Sequence, residues 1–269
     1  MNAFRFRLFA VAMAALPILA AGTAEAQVTK AGDLPYGEIT GSLAITTDYA
    51  FRGISQTKEG PAVQGALEYA VEVDSIKPYI GTFLSNVKFP DGLGGKIDGQ
   101  NLEVDLYGGL RGTVFSAVSW DVGLIRYFYP GTTKNLVGDP NWNEVYVKLG
   151  YDAGFAALSG SAFYSPAFGA DSDDATYVEG GIDVPLPFAF TVSGRVGHQW
   201  IDRETNFGLP DYTTWSLGLS RDLFGFTLAL SYVDTDVKKG ESLAGGGTVA
   251  NDFADIADQR IIFSVTKKF

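Results

Sequence analysis

The sequence predicts an all-β fold, a transmembrane, antiparallel up-and-down β-barrel of about twelve strands. Three observations carry this. Segments of period-two apolar alternation recur along the chain, the connections between them alternate short and long, and the final segment, Gln259–Phe269, is an amphipathic strand ending on an aromatic residue. In that segment Ile261, Phe263, Val265 and Phe269 share one face, and Arg260, Ser264, Thr266 and Lys268 share the other, because successive side chains of a strand point to opposite sides.

At the start of the chain, Arg5 and Arg7 precede an apolar stretch from Leu8 to Ala21, and Ala24-Glu25-Ala26 offers a small-x-small cleavage position. This predicts a cleaved secretory signal over residues 1–26, because the stretch is shorter than the ~20 apolar residues that a membrane-crossing helix needs. Residues 27–37 hold little that is apolar and read as a short periplasmic tail, which leaves 38–269 for the barrel. The first strand, Glu38 to Arg52, sets Ile39, Leu43, Ile45, Tyr49 and Phe51 against Thr40, Ser42, Thr46, Asp48 and Arg52. In the second, Val63, Leu67, Tyr69, Val71 and Val73 oppose Gln64, Glu68 and Glu72. Ile76–Asn86 is ambiguous, since Tyr79 and Phe83 compete with Ile80 and Leu84 for the apolar face. The fourth strand sets Leu102, Val104, Leu106 and Leu110 against Asn101, Glu103, Asp105 and Arg111.

Trp120–Tyr129, Asn143–Tyr151, Ala156–Tyr164, Ala175–Val184, Phe188–His198, Tyr212–Arg221 and Phe224–Asp234 complete the set before the last strand. Helices would repeat their apolar residues at three and four instead. Arg126 shares the frame of Val122, Leu124 and Phe128. A cation facing mid-bilayer lipid costs roughly 2–4 kcal/mol, so a bulge or a position near the interface is expected there.

The connections sort themselves. Tight turns fall at 74–75, 113–116, 152–155, 185–187 and 222–223, and longer segments at 53–60, 87–100, 130–142, 165–174, 199–210 and 235–258. An up-and-down barrel with both ends in the periplasm predicts this alternation. Hydrocarbon offers no water to backbone N–H and C=O groups, so the first strand is expected to pair with the last and leave no free edge. Alternation alone leaves open a soluble barrel with its apolar face inward. Aromatics near strand ends favour the outward choice, among them Tyr49, Tyr127, Tyr129, Trp142, Tyr151, Tyr164, Tyr177, Trp200, Tyr212, Trp215 and Tyr232, because such rings suit a headgroup boundary. Charges in pairs on the polar face, as at Glu68/Glu72 and Glu103/Asp105, suit a wet lumen better than a dry core.

Bulk composition narrows the function. The formal net charge is −11, which argues against a broad basic face for nucleic acid. Zero cysteines exclude disulfides, thiol catalysis and thiolate metal sites. Thirty-three glycines and 13 % aromatic residues fit a turn-rich β-protein rather than a disordered chain.

Asp48-Tyr-Ala-Phe51-Arg52-Gly53-Ile-Ser55-Gln56-Thr, followed by Pro61-Ala62-Val-Gln64-Gly65, resembles the signature of the TorF family of porins. That signature reads S-D-Y-x-F-R-G-x-S-Q and then P-A-x-Q-G. Gly81-Thr-Phe-Leu-Ser85-Asn86-Val87 and Glu103-Val-Asp105-Leu-Tyr107-Gly-Gly are similar to the family as well, while Thr47 and Phe83 depart from its usual Ser and Trp. The resemblance spans most of the predicted mature chain. It implies an outer-membrane barrel with a channel role and supplies no catalytic or substrate-binding residue.

Candidate pore-lining or constriction residues are Asp48, Arg52, Gln64, Glu68, Glu72, Glu103, Asp105, Arg111, Asp121, Glu144, Lys148, Glu179, Asp183 and Arg195. Asp48, Arg52 and Gln64 are expected to narrow the mouth or to tie the first hairpin to its neighbours. An open lumen lined by these carboxylates favours cations. Alternatively Arg111, Lys148, Arg195 and Arg260 pair with them and fill the interior. Phe263, Val265 and Phe269 are the expected signal to the β-barrel assembly machinery. The expected partners are outer-membrane lipids, lipopolysaccharide and small permeating solutes. Loop aspartates at 171, 173, 174, 234, 236, 252, 255 and 258 lack the spacing of a calcium loop. His198, the one histidine, has no nucleophile patterned beside it. No cofactor and no enzymatic activity are expected.

Overall fold

The computed structural model describes residues 37–89, 101–115, 117–131 and 139–269. The expected signal and tail, apart from Gly37, lie outside them. Fourteen strands follow in chain order: β1 (Gly37–Thr46), β2 (Ala50–Phe51), β3 (Ile54–Ser55), β4 (Ala62–Val71), β5 (Ile76–Asn86), β6 (Leu102–Val114), β7 (Val118–Phe128), β8 (Trp142–Asp152), β9 (Ala157–Ser165), β10 (Ala175–Leu186), β11 (Phe190–Ile201), β12 (Tyr212–Leu223), β13 (Phe226–Thr235) and β14 (Arg260–Lys268). Twelve of them form one closed antiparallel barrel, and β2 with β3 forms a separate two-stranded ribbon. Closure runs from Ser42 opposite Lys268 to Thr46 opposite Ser264, so neither edge is left unpaired.

Alternation decides what each wall residue meets. Leu43, Ile45, Val63, Leu67, Ile80, Leu124, Leu217 and Ile261 stand on the outside, with Leu124 62 % and Ile261 68 % exposed. A water-soluble barrel would bury these residues, so the outer surface is the lipid-facing one. In β5, Ile80 and Leu84 take the outside while Tyr79 and Phe83 point in, which resolves the ambiguity of that strand. Arg126 does face outward. The β6–β7 register runs through it without a bulge, and its guanidinium lies 5.0 Å over the Phe128 ring, at the end of β7 next to a long connection.

Two expectations need correction. The first strand does not continue to Arg52: β1 stops at Thr46, whose hydroxyl donates to the Asp48 carbonyl at 2.7 Å. The chain then turns inward, and β4 takes its place beside β1, from Gly37 opposite Val71 to Thr46 opposite Ala62. Tyr49 and Phe51 therefore never share the outer face of Ile39. The second correction concerns the expected aromatic belt. Tyr151, Tyr164, Trp200 and Trp215 are exposed outside, but Tyr49, Tyr127, Tyr129, Trp142, Tyr177 and Tyr212 are buried inside. Nearness to a strand end does not tell which side a ring takes. Parity does: Tyr127 shares the inward frame of Asp121.

Close approach across the sheet explains two of the glycines. Tyr107 lies opposite Gly81 and Tyr146 opposite Gly123. A Cβ at Gly81 would stand 2.4 Å from the Tyr107 ring, and one at Gly123 2.5 Å from the Tyr146 hydroxyl. Each tyrosine thus lies across a bare backbone and fills the interior without splaying the wall.

Candidate functional site: a hairpin folded into the lumen

The ribbon of β2 and β3 is the feature that shapes the lumen. Its turn residues, Arg52 (φ 48°) and Gly53 (φ 86°), are both left-handed, the geometry of a two-residue hairpin turn whose twist matches its strands. Gly53 is required twice over, because a Cβ there would sit 2.3 Å from Thr214 Oγ1 and 2.5 Å from Thr235 Cγ2. Asp48 fixes the base. It accepts from Ser55 Oγ (2.5 Å), Thr57 Oγ1 (2.8 Å) and Arg260 Nε (2.6 Å), and Arg260 also donates to the Gly53 carbonyl.

The tip reaches far across the barrel. Arg52 Nη2 donates to Glu144 Oε2 on β8 at 2.7 Å, and Nη1 to Gln199 Oε1 on β11 at 2.8 Å. Its guanidinium lies 4.5–5.0 Å from the ring centroids of Tyr177, Phe51 and Phe163. Burial opposes this charge, while Glu144 supports it and holds the pKa above the ordinary arginine value. Beside the hairpin, Tyr49 donates to Glu103 Oε1 at 2.5 Å and Tyr129 to Glu103 Oε2 at 2.6 Å, and Tyr127 donates to Glu144 at 3.1 Å. Burial, then the charges of Glu103 and Asp105, raise the pKa of Tyr49 and keep it a donor.

Rings close the remaining space. Trp142 stacks on Tyr127 (4.4 Å, 20°) and on Tyr129 (5.6 Å, 24°), and Phe168 meets its edge at 5.2 Å. Above the hairpin, Ile54 packs with Ile201, Leu209, Tyr212 and, from the segment between β13 and β14, Leu243, Val249, Phe253 and Ile256. That segment carries a short helix (Asn251–Asp255), and Ser55 N–H donates to the Ile256 carbonyl at 2.8 Å. The lumen is thus narrowed at its long-loop end by an anchored hairpin under an apolar cluster.

A family model described as a bacterial protein of unknown function (Gcw_chp) matches residues 30–269. The chain belongs to this family. No curated protein matches it in sequence. In fold it is similar to the KdgM porin (9 % identity, 86 % of this chain and 99 % of that one, TM-score 0.52). It is likewise similar to the NanC porin (11 % identity, 86 % and 100 % covered, TM-score 0.50). A third likeness is to the COG4313 outer membrane channel from Pseudomonas putida F1 (12 % identity, 91 % and 100 % covered, TM-score 0.51). At these identities the likeness is one of fold, and the folds are those of porins and channels.

Of the other expected lumen residues of this Gcw_chp chain, Glu68, Arg111, Asp121 and Asp183 sit toward the short-turn end. Arg111 Nη2 donates to Glu68 Oε1 at 2.5 Å, and Arg195 Nη2 holds both oxygens of Asp183 at 2.8 and 2.7 Å. Asp121 accepts from Tyr79, and Glu179 from Tyr177 at 2.7 Å. The Lys148 ammonium lies 4.3 Å over the Tyr146 ring and 5.5 Å from that of Phe163. Gln64 points inward but donates to Ser85 Oγ (3.3 Å), so it does not join Asp48 and Arg52 in one network. Glu72 lies past the end of β4 and is exposed at the rim. Arg260 pairs with Asp48, as the filled-interior alternative anticipated for that arginine.

Sequence reasoning missed Gln199, assigned to a loop, and the inward tyrosines. Parity from Glu179 or Asp121 finds Tyr177 and Tyr127, but no local signal brings Gln199 to Arg52. It also took charges in pairs as a sign of water, whereas Glu103, Asp105 and Glu144 are buried among rings. Among the described residues no group of three or more carboxylate or histidine side chains is placed to hold a metal ion. His198 faces outward, 3.0 Å from Thr213 Oγ1 and packed on Trp200.

Proposed function

We propose that the protein is an outer-membrane channel for passive diffusion of small solutes, with the hairpin carrying Arg52 as its constriction. The observation that supports this best is a closed barrel of porin fold whose inner wall is charged and, toward the short-turn end, accessible. In this reading the long loops face outward toward lipopolysaccharide, and a Sec-type signal precedes the barrel. The β-barrel assembly machinery engages the last strand through Phe263, Val265 and Phe269. The TorF-like motif gains a role, since its Asp48, Arg52, Gly53, Ser55 and Gln56 build the constriction. Cation preference is supported by the buried carboxylates Glu103, Asp105 and Glu144 outnumbering the buried cations Arg52 and Lys148. No catalytic role is assigned to His198.

One observation favours a second reading, a filled barrel serving as a surface protein: both anchors of Arg52 are buried, under an apolar cap. Planar-bilayer recording separates the two. A channel gives small unitary steps in the wild type that grow severalfold in Arg52→Ala, with a reversal potential favouring potassium over chloride. Silence in both proteins leaves the filled barrel.

A further inference from the structure

The outer wall carries one arrangement twice at its short-turn rim. Phe188-Ala189-Phe190 and Phe224-Gly225-Phe226 each lead from a tight turn into a strand, β11 and β13. In both, the two residues before the second phenylalanine are left-handed, with φ of 63° and 61° at Phe188 and Ala189, and of 52° and 76° at Phe224 and Gly225. The first ring is left bare, 82 % exposed at Phe188 and 91 % at Phe224. The second ring lies under a cation from the next strand. Arg221 on β12 stands opposite Phe190, its guanidinium 4.9 Å from the ring centroid. Lys267 on β14 stands opposite Phe226, its ammonium 5.1 Å from the centroid.

Neither cation is neutralised. Arg221 and Lys267 make no ion pair among the described residues, and Lys267 is not joined to the terminal carboxylate of Phe269. Arg221 Nε is covered by protein, which leaves both Nη atoms accessible and without an acceptor. Lys267 donates one N–H to the Gly225 carbonyl at 3.0 Å and keeps two free. The outward neighbours of Arg221 are Leu219, Leu223 and Leu228, and those of Lys267 include Val265 and Leu43, so no carboxylate stands on this face beside either. Asp222, next in the chain to Arg221, takes the inward frame and accepts from Thr227 Oγ1 at 2.6 Å.

A bulky residue at positive φ is strained, and such strain persists where the residue serves a contact. A bare ring on a turn, with an unanswered cation one strand away, matches an amphiphile with an anionic head. We propose that each copy is a headgroup site for an anionic phospholipid of the periplasmic leaflet. Arg221 or Lys267 takes the phosphate diester, and Phe188 or Phe224 covers the glycerol and the first methylenes. Continuity with the lipid-facing wall supplies the occupant, since Leu43, Leu219 and Phe226 are exposed on it. Charge selects the head: a zwitterionic lipid brings its own ammonium to its phosphate, whereas an anionic one needs the cation of the protein. The leaflet rests on the proposed orientation, with the long loops outside; the sites themselves do not, and a filled barrel would hold the same lipids.

The test offers the mature barrel, folded in a non-ionic detergent, equal amounts of phosphatidylglycerol and phosphatidylcholine, and counts retained lipid by native mass spectrometry. Heat-modifiable gel mobility shows in each sample that the barrel is folded. The expected result is two molecules of phosphatidylglycerol held per barrel, severalfold in preference to phosphatidylcholine. Arg221→Gln and Lys267→Gln are each expected to lose one, and the double variant both. Phe188→Ala and Phe224→Ala, with the cations in place, are expected to weaken retention severalfold at their own copy. Equal retention of the two lipids by the wild type would overturn the proposal whether or not a variant folds. So would undiminished phosphatidylglycerol in the double variant, or in both phenylalanine variants. Displacement of the lipid by excess inorganic phosphate would overturn it too, since the sites would then read a free anion and not a lipid. A barrel without the heat-modifiable shift counts against the membrane reading, whereas a folded barrel without lipid preference counts against these sites alone.

Discussion

Arg52–Glu144 and Arg111–Glu68 are both arginine–glutamate pairs inside the same barrel, at 2.7 and 2.5 Å. Their surroundings differ. The side chains of the first pair are 3 % and 1 % exposed and lie among Phe51, Phe163 and Tyr177, whereas those of the second are 27 % and 17 % exposed. The long-loop half of the lumen is a packed interior, in which a charge must be answered by a partner. The short-turn half is a wetter vestibule, in which water can answer it. Strand pattern is the same in both. What divides them is the chain between β1 and β4, which folds inward and brings Tyr49, Phe51 and Arg52 to walls that would otherwise face solvent.

The sharpest way to break this contrast is at the hairpin tip. Arg52→Ala leaves Glu144 buried with only the Tyr127 hydroxyl, and removing one partner of a buried pair costs about 3–5 kcal/mol. Urea unfolding of the refolded barrel should show that loss; a change near zero would mean that water reaches Glu144 and that the two halves are alike. A smaller effect is expected at Gly123, where Tyr146 crosses the wall. Gly123→Val drives a side chain into the Tyr146 hydroxyl and the Gly108 carbonyl, and overpacking of this kind costs about 1–3 kcal/mol. Loss of the heat-modifiable gel shift at a lower temperature would report it. The smallest effect belongs to the vestibule. Arg111→Ala removes a partly hydrated pair, worth about 0–1 kcal/mol, and the same urea titration should scarcely move. A loss equal to that of Arg52→Ala would erase the distinction.

Much of this was legible in the sequence. The alternation of Ile80 with Phe83, once one face is assigned to lipid, orients the whole of β5, and the short–long rhythm of connections fits an up-and-down barrel whose closure pairs β1 with β14. Inward parity also placed Glu68, Arg111, Asp183 and Arg195 inside the lumen. The hairpin was not legible as such. Asp48 to Arg52 continues the alternation of β1, and period-two counting has no means to register that the hydrogen-bond ladder stops at Thr46. Gly53 carries half the signature of a tight two-residue turn, but Arg52 stands where such turns prefer Asn, Asp or Gly, although the structure puts both at positive φ. Its meaning depended on whether the flanking residues were strand or ribbon.

Within each barrel strand the amino-acid order by itself determined which residues share a face, because a strand has only two sides, and the apolar set takes the side that meets the bilayer. It also determined the strand number, since each crossing needs its own amphipathic segment. Whether the inward residues meet water or each other was decided only in three dimensions. Glu144, Gln199 and Glu103 are brought to Arg52 and Tyr49 by β8, β11 and β6 converging on one infolded loop. Contacts that join residues so distant along the chain leave no local trace in it.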